Sequence, residues 1–318
     1  MLAIAVDAVR GDDRDGNPPS AVAAPRVDAV AALTSLGTRG TLVYTDRDCR
    51  FHAVRLPSLA EARAPLDEAG ECSFELSPDG MRVAPAGAAW NRFEEYAICN
   101  RARVEVRTSI VDLPRLAFWG CTPAWRPGST PTLTLVDGEE VREVGASCHL
   151  QQPCGTVLID RDAVRAAAAN AIPPVNPSAL GRVHIDDITW LSPTRAAVLL
   201  RIPMACCRDA GSVDYSYLLA VFEAGRLRWA FPFDDSMRDE LVVGPYRQRL
   251  WAGGDAVFPP NGAPLRIPNG FARARAAAWS PDERWLALAA GNTVALVRPG
   301  VDEQVVTVPI DAADLAWR

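Results

Sequence analysis

Eight cysteines are the residues whose type and spacing most directly suggest chemistry. Five of them form two series with a spacing of 49 or 50 residues: Cys49, Cys99 and Cys148, and then Cys72 and Cys121. Each member of the second series follows a member of the first by 22 or 23 residues. Because thiols at equivalent positions of a repeat meet in the same way, we expect the disulfides Cys49–Cys72 and Cys99–Cys121.

The four cysteines that remain after these two pairs predict two further bonds. Cys148 and Cys154 can close a short loop of their own, which leaves the adjacent pair Cys206 and Cys207. A disulfide between adjacent cysteines is a strained ring that surrounding structure must hold, often at a binding site; free thiols, or a bond to another cysteine, are the alternatives. Since disulfides persist in oxidising compartments, the pattern predicts an extracytoplasmic protein, whether periplasmic, secreted or at the cell surface.

Metal binding is the competing interpretation of the cysteines. Structural zinc sites commonly contain CxxC pairs, but the sequence has none, and its three histidines, His52, His149 and His184, are scattered. A G-x-S-x-G elbow and a Gly-rich phosphate loop are also missing. The sequence therefore predicts no metal and no cofactor, and it indicates no catalytic residue.

A repeated pattern of short strands must position these cysteines. Residues 276–300 read AAAWSPDERWLALAAGNTVALVRPG, which predicts strands a, b and c, and EQVVTVPI supplies strand d. The same opening recurs as CSFELSPDG from Cys72, CTPAWRPGS from Cys121 and DITWLSPTR from Asp187. Self-similarity every 40 to 50 residues, with four strands per unit, indicates a β-propeller.

The repeats predict six blades, with seven as the alternative. Blades two to six are placed at 72–112, 116–159, 184–233, 236–270 and 271–310, the fifth being degenerate. Blade one is split, because its strands at 41–57 lack an inner strand a and the C-terminal DLAWR is a strand a without a successor. We expect this tail to close the ring by pairing with the N-terminal blade. Residues 1–31 are predicted to be a flexible lead and 32–318 the propeller.

The repeats also resemble a known family. The motifs SPDG at 77–80 and SPDE at 280–283, each between two apolar strands, are similar to the repeats of TolB-like, WD40-like bacterial β-propellers. The variants RPGS at 126–129 and SPTR at 192–195 depart from that pattern. The resemblance implies an extracytoplasmic propeller that binds proteins, and it implies no catalytic residues.

Three long insertions distinguish the chain. In a propeller the b–c and d–a connections emerge on one face of the ring, and the insertions at 88–95, 204–216 and 160–182 are all of these kinds. The third begins with an alanine-rich helix near 160–171 that Asp160 can cap and that prolines at 173, 174 and 177 end. Long loops on a rigid scaffold commonly carry function, so we expect the working surface on this face.

Aromatic and arginine side chains of these insertions are the predicted ligand-binding residues, since both types are enriched at the centres of interfaces. They are Trp90, Arg92, Phe93, Arg161, Arg165, Arg208 and Tyr215. Alternatively, Trp90 and Phe93 pack beneath the helix as a small core of their own. The tryptophans at 125, 190, 279 and 317, which end strand a, are predicted to be core between blades.

Composition limits the partners. The net charge is −6, every positive side chain apart from histidine is arginine, and no basic stripe is present, which argues against nucleic acid. No run of 18 apolar residues occurs, so we expect membrane anchoring only through a segment upstream of residue 1. The predicted partner is therefore a protein, a peptide or a cell-envelope component.

A propeller hydrolase or lyase acting on a glycan is the alternative function. Such an enzyme needs two or three carboxylates from different blades at the ring axis. The beginnings of the a strands offer Glu71, Asp186 and Asp187 and are otherwise mostly small and apolar. The sequence thus predicts an axis with too few carboxylates, and Asp187 is the candidate to follow.

Overall fold

The computed structural model describes most of the chain. The described residues are 26–66, 72–78, 82–85, 102–108, 116–144, 155–171, 183–203, 215–233, 242–243, 249–251, 256–258, 265–267, 274–301 and 305–318.

Short strands make up nearly all of the described secondary structure. The helices are α1 (Arg26–Ser35) and α2 (Arg161–Ala171). The strands are β1 (Gly40–Thr45), β2 (Phe51–Leu56), β3 (Ala60–Glu61), β4 (Phe74–Leu76), β5 (Arg82–Pro85), β6 (Ala102–Thr108), β7 (Leu116–Arg126), β8 (Thr132–Asp137), β9 (Glu140–Glu143), β10 (Thr156–Ile159), β11 (His184–Ser192), β12 (Arg195–Pro203), β13 (Tyr215–Glu223), β14 (Arg226–Phe233), β15 (Val242–Val243), β16 (Leu250–Trp251), β17 (Ala256–Phe258), β18 (Leu265–Arg266), β19 (Ala276–Trp279), β20 (Leu286–Ala290), β21 (Thr293–Val297), β22 (Val305–Val308) and β23 (Asp314–Trp317).

The strands form six antiparallel four-stranded blades. Blades four, five and six are β11–β14, β15–β18 and β19–β22, each in chain order. Blades two and three are joined by β7, whose first half pairs with β6 as strand d of one blade and whose second half pairs with β8 as strand a of the next. The predicted count of six is confirmed.

The six inner strands form a closed ring. Going round the ring, β23 contacts β4, β4 contacts β7, β7 contacts β11, β11 contacts β15, β15 contacts β19, and β19 returns to β23. Each blade therefore packs against two neighbours about a common axis, which is the arrangement of a propeller. Packing of the described residues thus supports a ring of six rather than seven.

Blade one is completed by the C-terminal strand, as predicted. Its order is β23–β1–β2–β3, and β23 pairs antiparallel with β1 from Leu42 opposite Trp317 to Thr45 opposite Asp314. Beyond the paired stretch, Arg318 N donates to Thr41 O at 3.0 Å. Without β23, the inner edge of β1 would expose unpaired backbone groups.

Serine side chains explain the SPD turns between strands a and b. In blade six, Ser280 N donates to Trp285 O at 2.9 Å and Ser280 Oγ accepts from Trp285 N at 3.0 Å. Ser77 makes the same pair of bonds with Arg82 in blade two, each at 2.9 Å. A serine hydroxyl that accepts a hydrogen bond from a backbone amide stabilises the turn. The motif therefore stabilises the reversal of the chain between strands a and b.

Tryptophans at the ends of the inner strands join neighbouring blades. Trp125 Nε1 donates to Glu75 O at 3.2 Å, and Trp279 Nε1 donates to Val242 O at 3.1 Å. Trp190 Nε1 donates to the buried Thr134 Oγ1 at 2.9 Å. All three indoles are buried, and each bond reaches the preceding blade, as predicted for core between blades.

Helix α1 covers the junction of blades six and one. Ala29 and Leu33, four residues apart on one helical face, are buried in the cluster that contains Leu42, Trp285 and Trp317. The helix also contacts β22. The predicted boundary between lead and propeller, at residues 31 and 32, falls inside this helix.

Helix α2 forms where the sequence predicts it. Asp160 Oδ1 accepts from Ala163 N at 2.7 Å, which is the expected N-cap. Val164, Ala167 and Ala168 are buried, and the helix packs against β13 and β14 of blade four. The prolines predicted to end the helix lie outside the described residues.

Candidate functional site

Three carboxylates lie on the inner strands of three different blades. Glu75 lies on β4, Asp187 on β11 and Asp314 on β23, the inner strands of blades two, four and one. Glu75 interacts electrostatically with both of the others. We refer to Glu75, Asp187 and Asp314 as the axial carboxylates.

Asp314 is fixed by backbone amides from two blades. Its Oδ2 accepts from Phe74 N in blade two at 2.7 Å, and its Oδ1 accepts from Leu315 N at 2.7 Å. Burial raises the pKa of Asp314 to about 7, although both amide bonds favour the ionised form and oppose the shift. Asp314 therefore changes its charge near neutral pH.

Glu75 is also held towards its neutral form. Burial raises the pKa of Glu75 well above its usual range, and the negative charges of Asp187 and Asp314 raise it further. A protonated carboxyl can donate a hydrogen bond, and an ionised one can accept a bond or attract a cation. Glu75 and Asp314 can therefore serve as a proton donor or as an acceptor, depending on pH.

Asp187 repeats the local geometry of Asp314. Its Oδ1 accepts from Ile188 N at 2.8 Å, just as Asp314 accepts from Leu315 N. Each aspartate stands three residues before a tryptophan of the same strand. The shared pattern Asp-x-x-Trp could have identified Asp314 from the sequence as a counterpart of Asp187. No corresponding pattern identifies Glu75.

The predicted shortage of carboxylates at the axis was wrong, and one of the three candidates has another role. The structure adds Glu75 and Asp314 to Asp187. The side chain of Asp186 is fully buried and pairs with Arg201, Asp186 Oδ2 lying 3.2 Å from Arg201 Nε. A register shift between Ile185 and Asp187 accompanies this arrangement. Glu71 lies outside the described residues.

Arg161 and Arg165 both bind a buried carboxylate. Glu139, only 3% exposed, lies in the turn between β8 and β9, and its Oε2 is 3.1 Å from Arg161 Nε and from Arg165 Nη2. Glu139 Oε1 also accepts from Val183 N at 2.9 Å. The two arginines therefore anchor α2, yet their side chains remain 60% and 47% exposed.

This contact places two kinds of connection on one face. Glu139 belongs to the b–c turn of blade three, and α2 lies in the d–a connection that follows. Both Asp187 and Asp314 lie near the start of an inner strand, where d–a connections enter. We name the side of the ring that carries the b–c and d–a connections the loop-rich face.

The other predicted ligand residues are not placed by the structure. Trp90, Arg92, Phe93 and Arg208 lie outside the described residues. Tyr215 is the first residue of β13, but its side chain is outside the described part. Of the predicted set, the structure brings together Arg161 and Arg165 alone.

One predicted disulfide lies among the described residues. Cys49 and Cys72 are bonded. Cys49 is in the b–c turn of blade one and Cys72 is in the d–a connection to blade two, so the bond lies on the loop-rich face. Cys99, Cys148, Cys154, Cys206 and Cys207 lie outside the described residues, as does the side chain of Cys121.

Two kinds of feature are absent from the described residues. Within them, no group of three or more His, Cys, Asp or Glu side chains has the arrangement of a metal site. None of their helices combines the length and apolar character that crossing a membrane requires.

Six four-stranded blades in a closed ring define the class of the protein: it is a β-propeller. Solved structures of similar fold include TolB from Acinetobacter baumannii, with 12% identity, 92% of this chain and 70% of that chain covered, and a TM-score of 0.47. The β-propeller domain of Myceliophteria thermophila Cps50 (Swd1) has 11% identity, 86% and 87% coverage and a TM-score of 0.42. Citrobacter koseri AztD has 10% identity, 88% and 98% coverage and a TM-score of 0.39.

The fold implied by the TolB-like, WD40-like resemblance is confirmed. The assignment depends on the six blades and their closure, since the similarities to solved structures are distant. No protein-family model and no curated protein matches the sequence.

Proposed function

We propose that the protein is an extracytoplasmic binding module whose loop-rich face, at blades two to four, binds a protein, a peptide or a cell-envelope component. The observation that carries this proposal is the contact of Arg161 and Arg165 with Glu139. It holds helix α2, the first part of the longest insertion, against blade three on the loop-rich face. Loops fixed on a rigid scaffold are the usual location of binding residues.

The proposed contact residues combine aromatic and arginine side chains. Trp90, Arg92 and Phe93 belong to blade two, and Arg208 and Tyr215 belong to blade four. Arg161 and Arg165 belong to α2, and their exposed guanidinium groups retain donors for a ligand. Such side chains commonly contribute about 2 kcal/mol or more each to binding at the centre of an interface.

Photo-crosslinking can test which face binds. A photoreactive residue at Asp162, exposed in the first turn of α2, should give a specific adduct in an extract of the native cell envelope. The matched control is the same residue at Arg284, which is 73% exposed at the a–b turn of blade six, on the opposite face. Equal adducts from both positions would contradict the proposal.

A double variant tests the contact residues. Trp90→Ala with Arg92→Ala should lower the yield of the Asp162 adduct more than tenfold, because two interface anchors are lost, while the melting temperature changes little. A large fall in melting temperature would instead show that Trp90 packs in the core. Unchanged adduct yield in the folded variant would remove these residues from the site.

The compartment can be tested through the thiols. The Cys49–Cys72 bond supports the proposed extracytoplasmic location, because disulfides persist in oxidising compartments. After thiols are trapped in the native cells, non-reducing peptide mapping should recover Cys49–Cys72, Cys99–Cys121 and Cys148–Cys154, with Cys206 bonded to Cys207. Recovery of free thiols at the first three pairs would argue for a reducing compartment.

A glycan hydrolase or lyase is the second candidate, and the axial carboxylates favour it. A general acid must be protonated near the working pH, and both Glu75 and Asp314 have a raised pKa. The test is turnover of a panel of cell-envelope glycans by the unmodified protein, by Asp187→Asn and by Glu75→Gln. Turnover that both variants lose while remaining folded would favour the enzyme.

A further inference from the structure

The closing strand β23 is held by two residues of the blade one–blade two junction. Thr45 O accepts from Ala313 N at 2.8 Å, just before β23 begins. On the other side, Phe74 N donates to Asp314 Oδ2 at 2.7 Å. The closing strand therefore binds blade one and blade two together.

Thr45 also binds the segment of Cys72. Its buried hydroxyl Oγ1 donates to Cys72 O, while its carbonyl receives the bond from Ala313. One residue thus connects the disulfide segment with the closing strand. A displacement of Cys72 would change both bonds of Thr45.

The apolar side chains of the junction form one cluster around the same residues. Phe51 and Phe74 meet edge to face, with ring centroids 4.9 Å apart, and Val43 and Val83 are buried beside them. Ala316 of the closing strand and Cys49 both pack against this cluster. The packing of β23 therefore depends on the relative position of β2 and β4.

The Cys49–Cys72 disulfide fixes that relative position. Cys49 sits in a turn ordered by Asp46, whose Oδ1 accepts from Asp48 N and Arg50 N, each at 2.9 Å. Cys72 stands two residues before Phe74. The bond therefore connects a rigid turn of blade one to the first residues of blade two, on either side of the place where β23 docks.

We propose that the Cys49–Cys72 disulfide is a redox-sensitive lock on ring closure. In the oxidised protein it holds Thr45 and Phe74 in position to bind β23. Reduction frees the two segments, so that β23 opens locally while the other blades remain folded. Glu75 and Asp314 lie on opposite sides of this junction, so opening also changes the spacing of the axial carboxylates.

The chemical step is thiol–disulfide exchange with a dithiol reductant. A thiolate of the reductant attacks one sulfur, forming a mixed disulfide and releasing the other cysteine as a thiolate, which takes a proton. The second thiol of the reductant then resolves the mixed disulfide. Two thiols form at Cys49 and Cys72, and the reductant becomes a disulfide. Both cysteines are half-buried, and exposed Arg47, Asp48 and Arg50 surround Cys49, so a reductant has access.

Hydrogen exchange of backbone amides tests the lock without any ligand. In Cys49→Ser with Cys72→Ser, the peptide 311–318 should exchange about tenfold faster or more, while peptides of β12 and β13 keep their protection, since local opening raises exchange only where it occurs. The control is Cys206→Ser with Cys207→Ser, which leaves the junction intact and should not change the exchange of 311–318. A uniform change in all peptides, or none in 311–318, overturns the proposal.

Two further measurements keep the test decisive if the double serine variant fails to fold. In the unmodified protein titrated with dithiothreitol, exchange of 311–318 should rise in step with the reduced fraction of Cys49–Cys72, measured by peptide mapping of the same samples. In Thr45→Val, which keeps the disulfide and the backbone bond to Ala313, reduction should have a smaller effect on 311–318, because the hydroxyl bond that connects Thr45 to the Cys72 segment is already lost. Protection of 311–318 that survives full reduction overturns the lock. The binding proposal would be unaffected.

Discussion

At the scale of single residues, Glu75 and Asp314 make the stability of the fold depend on pH. In an unfolded chain these groups ionise with a pKa near 4, whereas in the fold the pKa of Asp314 is raised to about 7 and that of Glu75 is also raised. The folded state therefore binds more protons between these values. It follows that the contribution of Asp314 to stability falls as pH rises from about 4 to 7, by up to about 1.4 kcal/mol per pH unit, and the contribution of Glu75 also falls as pH rises.

Glu75→Gln should flatten this dependence. A neutral amide keeps the shape of the protonated acid and removes the negative charge that forms above neutral pH. We expect a higher melting temperature than that of the unmodified protein at pH 8, with a smaller difference at pH 5. The control is Glu61→Gln on the exposed strand β3. The idea fails if both variants follow the same pH profile as the unmodified protein.

Only part of the axial site could be predicted at this scale. Asp187 was identified because it begins a recognisable repeat. Asp314 meets Phe74 across 240 residues of sequence, and Glu75 approaches the other two only because the ring closes. Proximity of this kind depends on how the blades are arranged around the ring. The spacing of residues within one repeat carries no information about that arrangement.

At the scale of elements, helix α2 depends on the buried Glu139 as well as on its N-cap. The sequence predicted the helix from its alanines and Asp160, but its anchor lies in a turn of blade three. No sequence motif marks Glu139 as an anchor, because it gains its two arginine partners only when α2 packs against the ring. By contrast, the buried Ala29 and Leu33 of α1 have the four-residue spacing of a helical face, although the composition around them indicated a flexible lead.

Glu139→Gln should loosen α2 selectively. The amide cannot replace an ionised acceptor shared by two arginines, but those arginines are half exposed and regain water, so we expect a loss of roughly 1 to 2 kcal/mol. Urea unfolding measures the loss, and hydrogen exchange should rise in 161–171. Glu140→Gln, which removes a partly buried pair with Arg142 in the same turn and strand, serves as the control. Equal effects of the two substitutions would refute the anchoring role.

At the scale of the whole molecule, ring closure was predictable because the repeats could be counted. The sequence has an N-terminal blade without strand a and a C-terminal strand a without a blade. The simplest arrangement is that the C-terminal strand completes the N-terminal blade, and the pairing of β23 with β1 confirms it. Blade five was harder to place, since the described parts of β15, β16 and β18 are each two residues long. Such short strands leave too few positions for an alternating pattern to be recognised.

Deleting residues 312–318 should therefore damage the whole ring. The inner edge of β1 would lose its partner, and an unpaired edge promotes association between molecules. We expect a lower melting temperature and oligomers in size-exclusion chromatography, both reversed by adding a peptide of residues 311–318 but not by a scrambled peptide. A monomeric truncated protein with unchanged melting would disprove the role of β23 in closure.

The bond from Trp317 Nε1 to Arg39 O spans 278 residues of sequence. The ribosome therefore synthesises strands β1 to β3 of blade one long before it synthesises β23, the strand that completes the blade. At about 5 to 20 residues per second, the ribosome needs roughly 15 to 55 s to supply the missing strand. During that interval the nascent chain presents an incomplete blade, which is a natural target for chaperones that bind exposed strand edges. A circular permutant with its ends in the connection between blades four and five would shorten that delay, and its yield without chaperones would show how much the natural chain order costs.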